Sequence, residues 1–222
     1  MHIVFLTGAG MSAESGLSTF RDSGGLWEGY DPQKVASIEG WYSDRAMVQE
    51  FYNKRRSELA KAEPNQGHKL IAGLEAYFKV TVITQNVDNL HEKAGSTNVI
   101  HLHGELTKAC NEAKTEVLEI GTRPIFLGEK AADGSDLRPF IVWFGEAVPL
   151  IEKAVEIISE ADMIVIVGTS MQVYPAAGLI HYRKKDVPTF LIDPNDVVVP
   201  DYVQVIKEKA SAGMSILINK IR

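Results

Sequence analysis

The sequence predicts an α/β fold, a Rossmann-like doubly wound parallel sheet carrying a smaller inserted lobe, and three observations lead there. Short apolar runs rich in β-branched residues alternate with helical patterns, as strands buried on both faces of a parallel sheet and their crossover helices do. A glycine-rich turn follows the first such run, the place where sheets of this kind receive phosphate groups. Two stretches, Ser18 to Asn65 and Glu105 to Arg138, break the alternation and are long enough to build a lobe beside the sheet.

The 222 residues, 45% apolar and 23% charged, suit one generous domain or one domain with an inserted module. Lys+Arg 23 against Asp+Glu 29 leave a net charge of −6, which predicts neither nucleic acid nor an anionic membrane as partner. Runs such as Met163–Val167 are far too short to span a bilayer. The opening Met1-His2-Ile3-Val4-Phe5 has no basic region, so no signal peptide is expected. A single cysteine, Cys110, excludes an internal disulfide and any all-cysteine metal site, and a reducing, cytoplasmic location is the expectation.

Taken in order, Ile3–Leu6 is the first strand, and Leu6-Thr7-Gly8-Ala9-Gly10-Met11-Ser12-Ala13 turns it into a helix. Gly8, Gly10 and Ala13 fit G-x-G-x-x-A: a tight turn, a close backbone approach to a pyrophosphate, and close packing of helix on strand. The helix N-terminus would offer its free N–H groups to the phosphates. A plain glycine turn has the same spacing, and the acidic ribose ligand usual on a second strand is missing. Glu14 to Trp27, with Phe20 and Arg21 inside it, is polar and glycine-rich, and either closes over a ligand or forms a surface loop.

Asp44–Lys61 and His68–Tyr77 read as helices, and Val80–Ile83 as a strand that runs into Gln85-Asn86-Val87-Asp88. Amide and acid side chains at a strand end can read a carboxamide or a ribose. Next comes Ile100-His101-Leu102-His103-Gly104-Glu105. A histidine at a strand end beside glycine is a natural general base near neutral pH. Period-two alternation puts His101 and His103 on the same face and does not choose between them; His2, His68, His91 and His181 are read as structural. Strands at Phe140–Phe144, Met163–Val167 and Thr189–Ile192, with helices at Ile151–Glu160, Ala176–Lys185 and Ser211–Ile221, complete the alternation. Ligands of such sheets sit beyond the carboxyl ends of the strands, so a cleft between the lobes is the expected site.

These motifs, in this order, resemble those of the sirtuins, the NAD-dependent protein lysine deacylases, along nearly the whole chain. The resemblance is carried by Gly8-Ala9-Gly10-Met11-Ser12, Gly16 to Trp27, Thr84 to Asp88, His101-Leu102-His103-Gly104, Val142-Trp143-Phe144-Gly145-Glu146 and Gly168-Thr169-Ser170. It implies a single catalytic domain over 1–222, with a small lobe from insertions at about 25–65 and 105–139, and NAD and an acyl-lysine entering the cleft from opposite sides. By the resemblance, NAD is held by Gly8, Ala9, Gly10, Ser12, Ala13, Glu14, Phe20, Arg21, Trp27, Gln85, Asn86, Val87, Asp88, His103, Gly168, Thr169, Ser170, Asp193, Pro194, Asn195 and Ala210. His103 becomes the general base, with Asn86 also in the reacting centre. Val142, Trp143, Phe144, Gly145 and Glu146 take the substrate backbone as an added strand. The chemistry so implied begins with attack of the acyl oxygen on the anomeric carbon of NAD as nicotinamide leaves. His103 then accepts a ribose hydroxyl proton, and water completes the release of lysine and O-acyl-ADP-ribose.

Two further features modify this expectation. Tyr52 and Arg55, three apart in Glu50-Phe51-Tyr52-Asn53-Lys54-Arg55-Arg56, fall on one helical face. They look like the Tyr-x-x-Arg pair of sirtuins that prefer acidic acyl groups, Arg offering a fork to a succinyl or malonyl carboxylate and Tyr a second donor. A solvated basic helix face is the alternative. The structural zinc usual in the family needs four cysteines, and this chain has one, so no zinc is expected. Val117-Leu118-Glu119-Ile120 and Ile125-Phe126-Leu127 are expected to replace it with a small apolar cluster. NAD hydrolysis or ADP-ribosyl transfer without an acyl-peptide, and noncatalytic NAD sensing, are the alternative functions.

Overall fold

In the computed structural model the described residues are 1–18, 27 and 29–221. β1 (His2–Thr7) lies at the centre of a six-stranded parallel sheet with β2 (Lys79–Thr84), β3 (Val99–His101), β7 (Met163–Val167), β8 (Thr189–Ile192) and β9 (Val203–Ile206), in the order β3-β2-β1-β7-β8-β9. The chain builds outward from β1 in one direction through β3 and then from β7 in the other. The reversal point is therefore between β1 and β7, where doubly wound sheets open a crevice for ligand.

β1 is buried along its full length because both faces of the sheet are covered. Ile3 and Phe5 pack with Ile71 of α5 (Gln66–Gly73) and with Met214 and Leu217 of α8 (Ala210–Ile221). Val4 and Leu6, on the opposite face, pack with Ala154 and Ile158 of α7 (Ile151–Glu160), four apart on one stripe. Between β1 and β2 come α1 (Ala9–Ser12), α2 (Pro32–Val35), α3 (Ile38–Ser43) and α4 (Arg45–Leu59) before α5. Ser37, Asp44 and Asn65 start three of these by accepting backbone N–H groups. α6 (Leu90–Lys93) joins β2 to β3. The smaller lobe pairs α2–α4 with an antiparallel sheet of β4 (Gly104–Cys110), β5 (Val117–Glu119) and β6 (Arg138–Ile141), in the order β5-β4-β6. Val48, Phe51, Tyr52 and Leu59 of α4 share one cluster with Leu106, Ile141 and Trp143.

Several expectations need correction. Phe140–Phe144 is not a strand of the parallel sheet: β6 ends at Ile141, and the next residues leave it to bond His103 and Ala36. An apolar run reports burial, and burial in the small-lobe core is as complete as in the sheet. Glu105 to Arg138, read as turn-rich, contains most of β4 and all of β5; its alternation is half polar because that sheet has one wet face. Residues 176–182 form a 3-10 helix rather than an α-helix through Lys185. β9 has no apolar run in the sequence, because only its end residues are buried.

Candidate active site

Every segment singled out for nucleotide binding that lies within the described residues, apart from Trp27 and Ala210, follows a carboxyl end of the parallel sheet. Gly8 to Glu14 follow β1, Gln85 to Asp88 follow β2, His103 stands two residues past β3, Gly168 to Ser170 follow β7, and Asp193 to Asn195 follow β8. The first and fourth of these touch backbone to backbone. Gly8 N donates to Val167 O at 3.0 Å and Gly10 N to Gly168 O at 2.9 Å. Gly168 has φ +61, and a Cβ there would stand 2.3 Å from the Met11 nitrogen; a Cβ on Gly10 would stand 2.7 Å from the Gly168 Cα. So Gly10 is required by the facing turn across the reversal point as much as by any phosphate. Ala13 does not pack helix on strand as its spacing suggested. α1 is a single turn, Ala13 begins a 3-10 turn, and its side chain is exposed.

Behind these turns lies a buried polar cluster. Ser12 Oγ donates to Asp88 Oδ2 at 2.9 Å, Leu90 N to Asp88 Oδ1 at 3.1 Å, and Asn86 Nδ2 to Ser12 Oγ at 3.1 Å. Burial pushes the Asp88 carboxyl up, while those two donors and the charges of His101 and Arg55 hold it back. Gln85 reaches the β7 side, its Nε2 donating to Thr169 Oγ1 at 3.3 Å.

The two histidines that periodicity left equivalent have different partners. His103 Nδ1 lies 3.1 Å from the Gln85 carbonyl, which only accepts, so that nitrogen carries the hydrogen. Nε2 is left with its lone pair and, among the described residues, no partner. Burial lowers the His103 pKa against the pull of the Gln85 carbonyl, so the ring is a neutral base at neutral pH. His101 has acceptors at both nitrogens: the Asn86 carbonyl at 3.1 Å from Nδ1 and Glu92 Oε1 at 2.7 Å from Nε2. Burial opposes charge there, but the hydrogen bond and charge of Glu92, then Glu105 and the Asn86 carbonyl, raise its pKa. An acceptor at each nitrogen favours the doubly protonated ring, so His101 has no lone pair turned to a ligand, and it fixes the backbone of Asn86. Glu92 had no signal in the sequence; nine positions separate it from His101.

On the small-lobe side, Tyr52 and Arg55 are both buried on the inner face of α4, not on a solvated one. The Arg55 guanidinium lies over the Trp27 ring at 5.1 Å and 3.6 Å from Glu58. Tyr52 takes a hydrogen bond from Trp143 Nε1 at 2.9 Å, and burial raises its pKa. Glu146 faces inward: Arg138 clasps both its oxygens at 2.8 and 3.1 Å, and Lys114 Nζ and Trp143 N each donate at 2.8 Å. Phe144 is bonded on both sides, its N to Ala36 O and its O from Ile38 N. Within 142–146, the backbone groups left to pair with a substrate are the carbonyls of Val142 and Glu146 and both groups of Gly145.

A profile of the Sir2 family matches residues 8–175. The chain belongs to the Sir2 family. An NAD-dependent protein deacylase of Bacteroides thetaiotaomicron is 53% identical over 96% of this chain and 94% of its own length. Another of that name, from Helicobacter pylori strain 26695, is 47% identical over 99% of this chain and 97% of its own. A solved Sir2 homologue, a point mutant in complex with ADP-ribose, superposes with a TM-score of 0.92 at 37% identity, covering 100% of this chain and 92% of that one.

The other expected positions of this Sir2-family chain are placed as follows. Phe20 and Arg21 lie outside the described residues. The Glu14 carboxylate accepts Ser211 N at 2.9 Å, at the start of α8. Ala210, the first residue of α8, is buried beside Gly67. Asp193 Oδ1 folds back on Asn195, accepting its N at 2.9 Å and Nδ2 at 3.1 Å, while Pro194 is exposed. Among the described residues no group of three or more His, Cys, Asp or Glu is placed to hold a metal ion. At the far end of the small lobe, Ala109, Ile125, Ala131 and Leu137 cluster with Leu118 and Ile120 packed against them. Val117, Phe126 and Leu127, expected in that cluster, are exposed instead. No helix of the described residues is long and apolar enough to cross a membrane.

Proposed function

We propose that this Sir2-family protein removes acyl groups from lysine side chains of proteins with NAD as co-substrate, giving nicotinamide and O-acyl-ADP-ribose, and that it accepts succinyl and malonyl as well as acetyl groups. The whole chain, 1–222, acts as one catalytic domain whose small lobe comes from about 25–65 and 105–139 and stands without zinc. The carrying observation is His103: a half-buried imidazole past the carboxyl end of β3 whose Nδ1 hydrogen is held by Gln85, leaving Nε2 as acceptor. The shared name of the two relatives and the ADP-ribose bound by the solved homologue agree with it.

The residues present fit a dinucleotide: turns follow five adjacent strand ends, and those after β1 and β7 approach backbone to backbone at the reversal point, where a Cβ would clash. When bound, NAD supplies an electrophilic anomeric carbon and a leaving nicotinamide. Asn86 and Asp88, held by Ser12, His101 and Leu90, keep their orientation without reorganising. His103 Nε2 takes a ribose hydroxyl proton, which its lowered pKa allows at neutral pH. The Val142 carbonyl and Gly145 bind the peptide backbone. Arg55 and Tyr52 meet an acyl carboxylate with a fixed charge and an O–H donor.

The test is one lysine peptide in acetyl, succinyl and malonyl forms, incubated with NAD, with products read by mass spectrometry. O-Acyl-ADP-ribose from the acidic forms, reduced on Arg55→Met, is expected. Equal rates for all three forms, unchanged by that substitution, would sink the acidic-acyl part. Nicotinamide release independent of any acyl-peptide would favour a hydrolase, and no turnover at all a sensor.

A further inference from the structure

We propose that Trp143 is a specificity-determining residue: its indole N–H fixes the Tyr52 hydroxyl as an acceptor, so that the phenol hydrogen is directed to an acyl carboxylate. The inference rests on the acidic-acyl reading above and names what makes Tyr52 a donor there.

An indole nitrogen donates and has no lone pair to accept with. At 2.9 Å from Trp143 Nε1, Tyr52 Oη is therefore the acceptor, and its own hydrogen must leave in another direction. Among the described residues no acceptor takes that hydrogen. Tyr52 is 1% exposed, so its hydroxyl does not simply turn to bulk water. One helical turn on, Arg55 is the other donor of the same face. An acetyl group ends in a methyl and gives these two donors nothing to bond; a succinyl or malonyl group ends in a carboxylate that accepts from both.

Trp143 is itself held on every side. It is 2% exposed and lies 5.3 Å from the Trp41 ring, and the Arg138 guanidinium stacks on it at 3.7 Å. Its backbone N donates to Glu146 Oε2 at 2.8 Å and its O accepts from Glu146 N at 3.0 Å. The same residue thus sits between Val142 and Gly145, which offer backbone to the peptide, and the tyrosine that faces the acyl tip. Arg138 and Glu146 act as positioning residues for both.

The experiment measures kcat/KM for succinyl and acetyl forms of one peptide with wild type, Trp143→Phe, Tyr52→Phe, the double variant and Arg55→Met. Trp143→Phe keeps an aromatic ring under Arg138 and removes the donor. The succinyl-to-acetyl ratio is expected to fall about fivefold to tenfold, the scale of one hydrogen bond, with the double variant no lower than Tyr52→Phe alone. A ratio kept in Trp143→Phe but lost in Arg55→Met overturns the role of Trp143 and leaves the acidic-acyl reading standing. A wild-type ratio near one, unmoved by Arg55→Met, overturns both. Separately, one indole N–H resonance of ¹⁵N-labelled protein should move upfield in Tyr52→Phe; three unmoved resonances would remove the hydrogen bond on which the proposal stands.

Discussion

The large lobe is held by apolar side chains pressed onto both faces of a sheet, whereas the end of the small lobe away from α4 has few of them and is tied by polar groups. In the first, Ile3, Val4, Phe5 and Leu6 alternate between two continuous clusters. In the second, the far end is a four-residue cluster, Ala109, Ile125, Ala131 and Leu137, two of whose side chains are a single methyl. Beside it Asn111 makes four bonds. Its Oδ1 accepts Thr115 N at 2.9 Å and Glu116 N at 3.0 Å, and its Nδ2 donates to Thr115 Oγ1 at 2.9 Å and Asp133 Oδ2 at 2.8 Å. Asp133 in turn accepts from Ser135, and Glu116 accepts Ala132 N at 3.0 Å. Arg45 of α4 reaches Glu112 and Asp136 from the other side. Apolar burial is spread over many residues and tolerates loss of any one. A directional knot concentrates its contribution in a single side chain, which is the job a metal ion does elsewhere.

Five measurements test this contrast. The largest effect belongs to the large lobe: His103→Ala is expected to lower deacylation about a thousandfold while calorimetry still detects NAD binding. Near-normal turnover would move the chemistry away from that sheet edge. Acid is the next lever. His68 and His91 are buried with rings 4.8 Å apart, and both nitrogens of His68 lack a partner among the described residues. Burial pushes His68 down to about 4 and lowers His91 in the same direction. Above pH 6.5 both folded and unfolded chains carry neutral rings. Below it the unfolded chain takes up protons that the fold refuses until about pH 4, so stability falls across that window, by up to about 3 kcal/mol for His68. His68→Leu should flatten this loss in denaturant titrations run from pH 7 to 4; an unchanged slope would place the acid sensitivity elsewhere.

Within the small lobe, Leu137→Ala should cost about 2–3 kcal/mol of unfolding free energy. Asn111→Ala should cost about 1 kcal/mol, because the buried amide loses its hydrogen bonds with the Thr115 and Glu116 backbone. A cost below about 0.5 kcal/mol for Asn111→Ala would show the knot to be ornament rather than support. The smallest effect expected is none: prolonged chelator treatment of untagged protein should leave its thermal midpoint where it was. A drop, with one equivalent of zinc found by metal analysis, would return the small lobe to the metal-bound pattern of its family.

Much of the fold was legible in the sequence. Met163–Val167, Thr189–Ile192 and Ile151–Glu160 are found with the boundaries their patterns predict. Two-sided burial and a 3.6-residue stripe leave local signatures in residue type. What misled was the same signal read too far. Phe140–Phe144 is as apolar as a sheet strand, and only the pairing of β6 with β4 assigns its first part to the other lobe. At the site, the glycine turn, the amide cluster and the Tyr52–Arg55 spacing were readable because each is a short segment. Glu92, Arg138 and Lys114 were not, since their partners lie 8 to 32 positions away along the chain.

The sequence alone determined four strands of the two-faced sheet and the turns at their ends, and by periodicity it left two imidazoles two residues apart equivalent. The fold chooses between them. A histidine acts as a base only if one nitrogen is left with its lone pair, and that depends on what each nitrogen meets. His103 meets one carbonyl, 18 positions back, and keeps a lone pair; His101 meets a carbonyl and a carboxylate and keeps none. Residue identity sets what a side chain can donate or accept, but the partners that use up that capacity are brought by the fold.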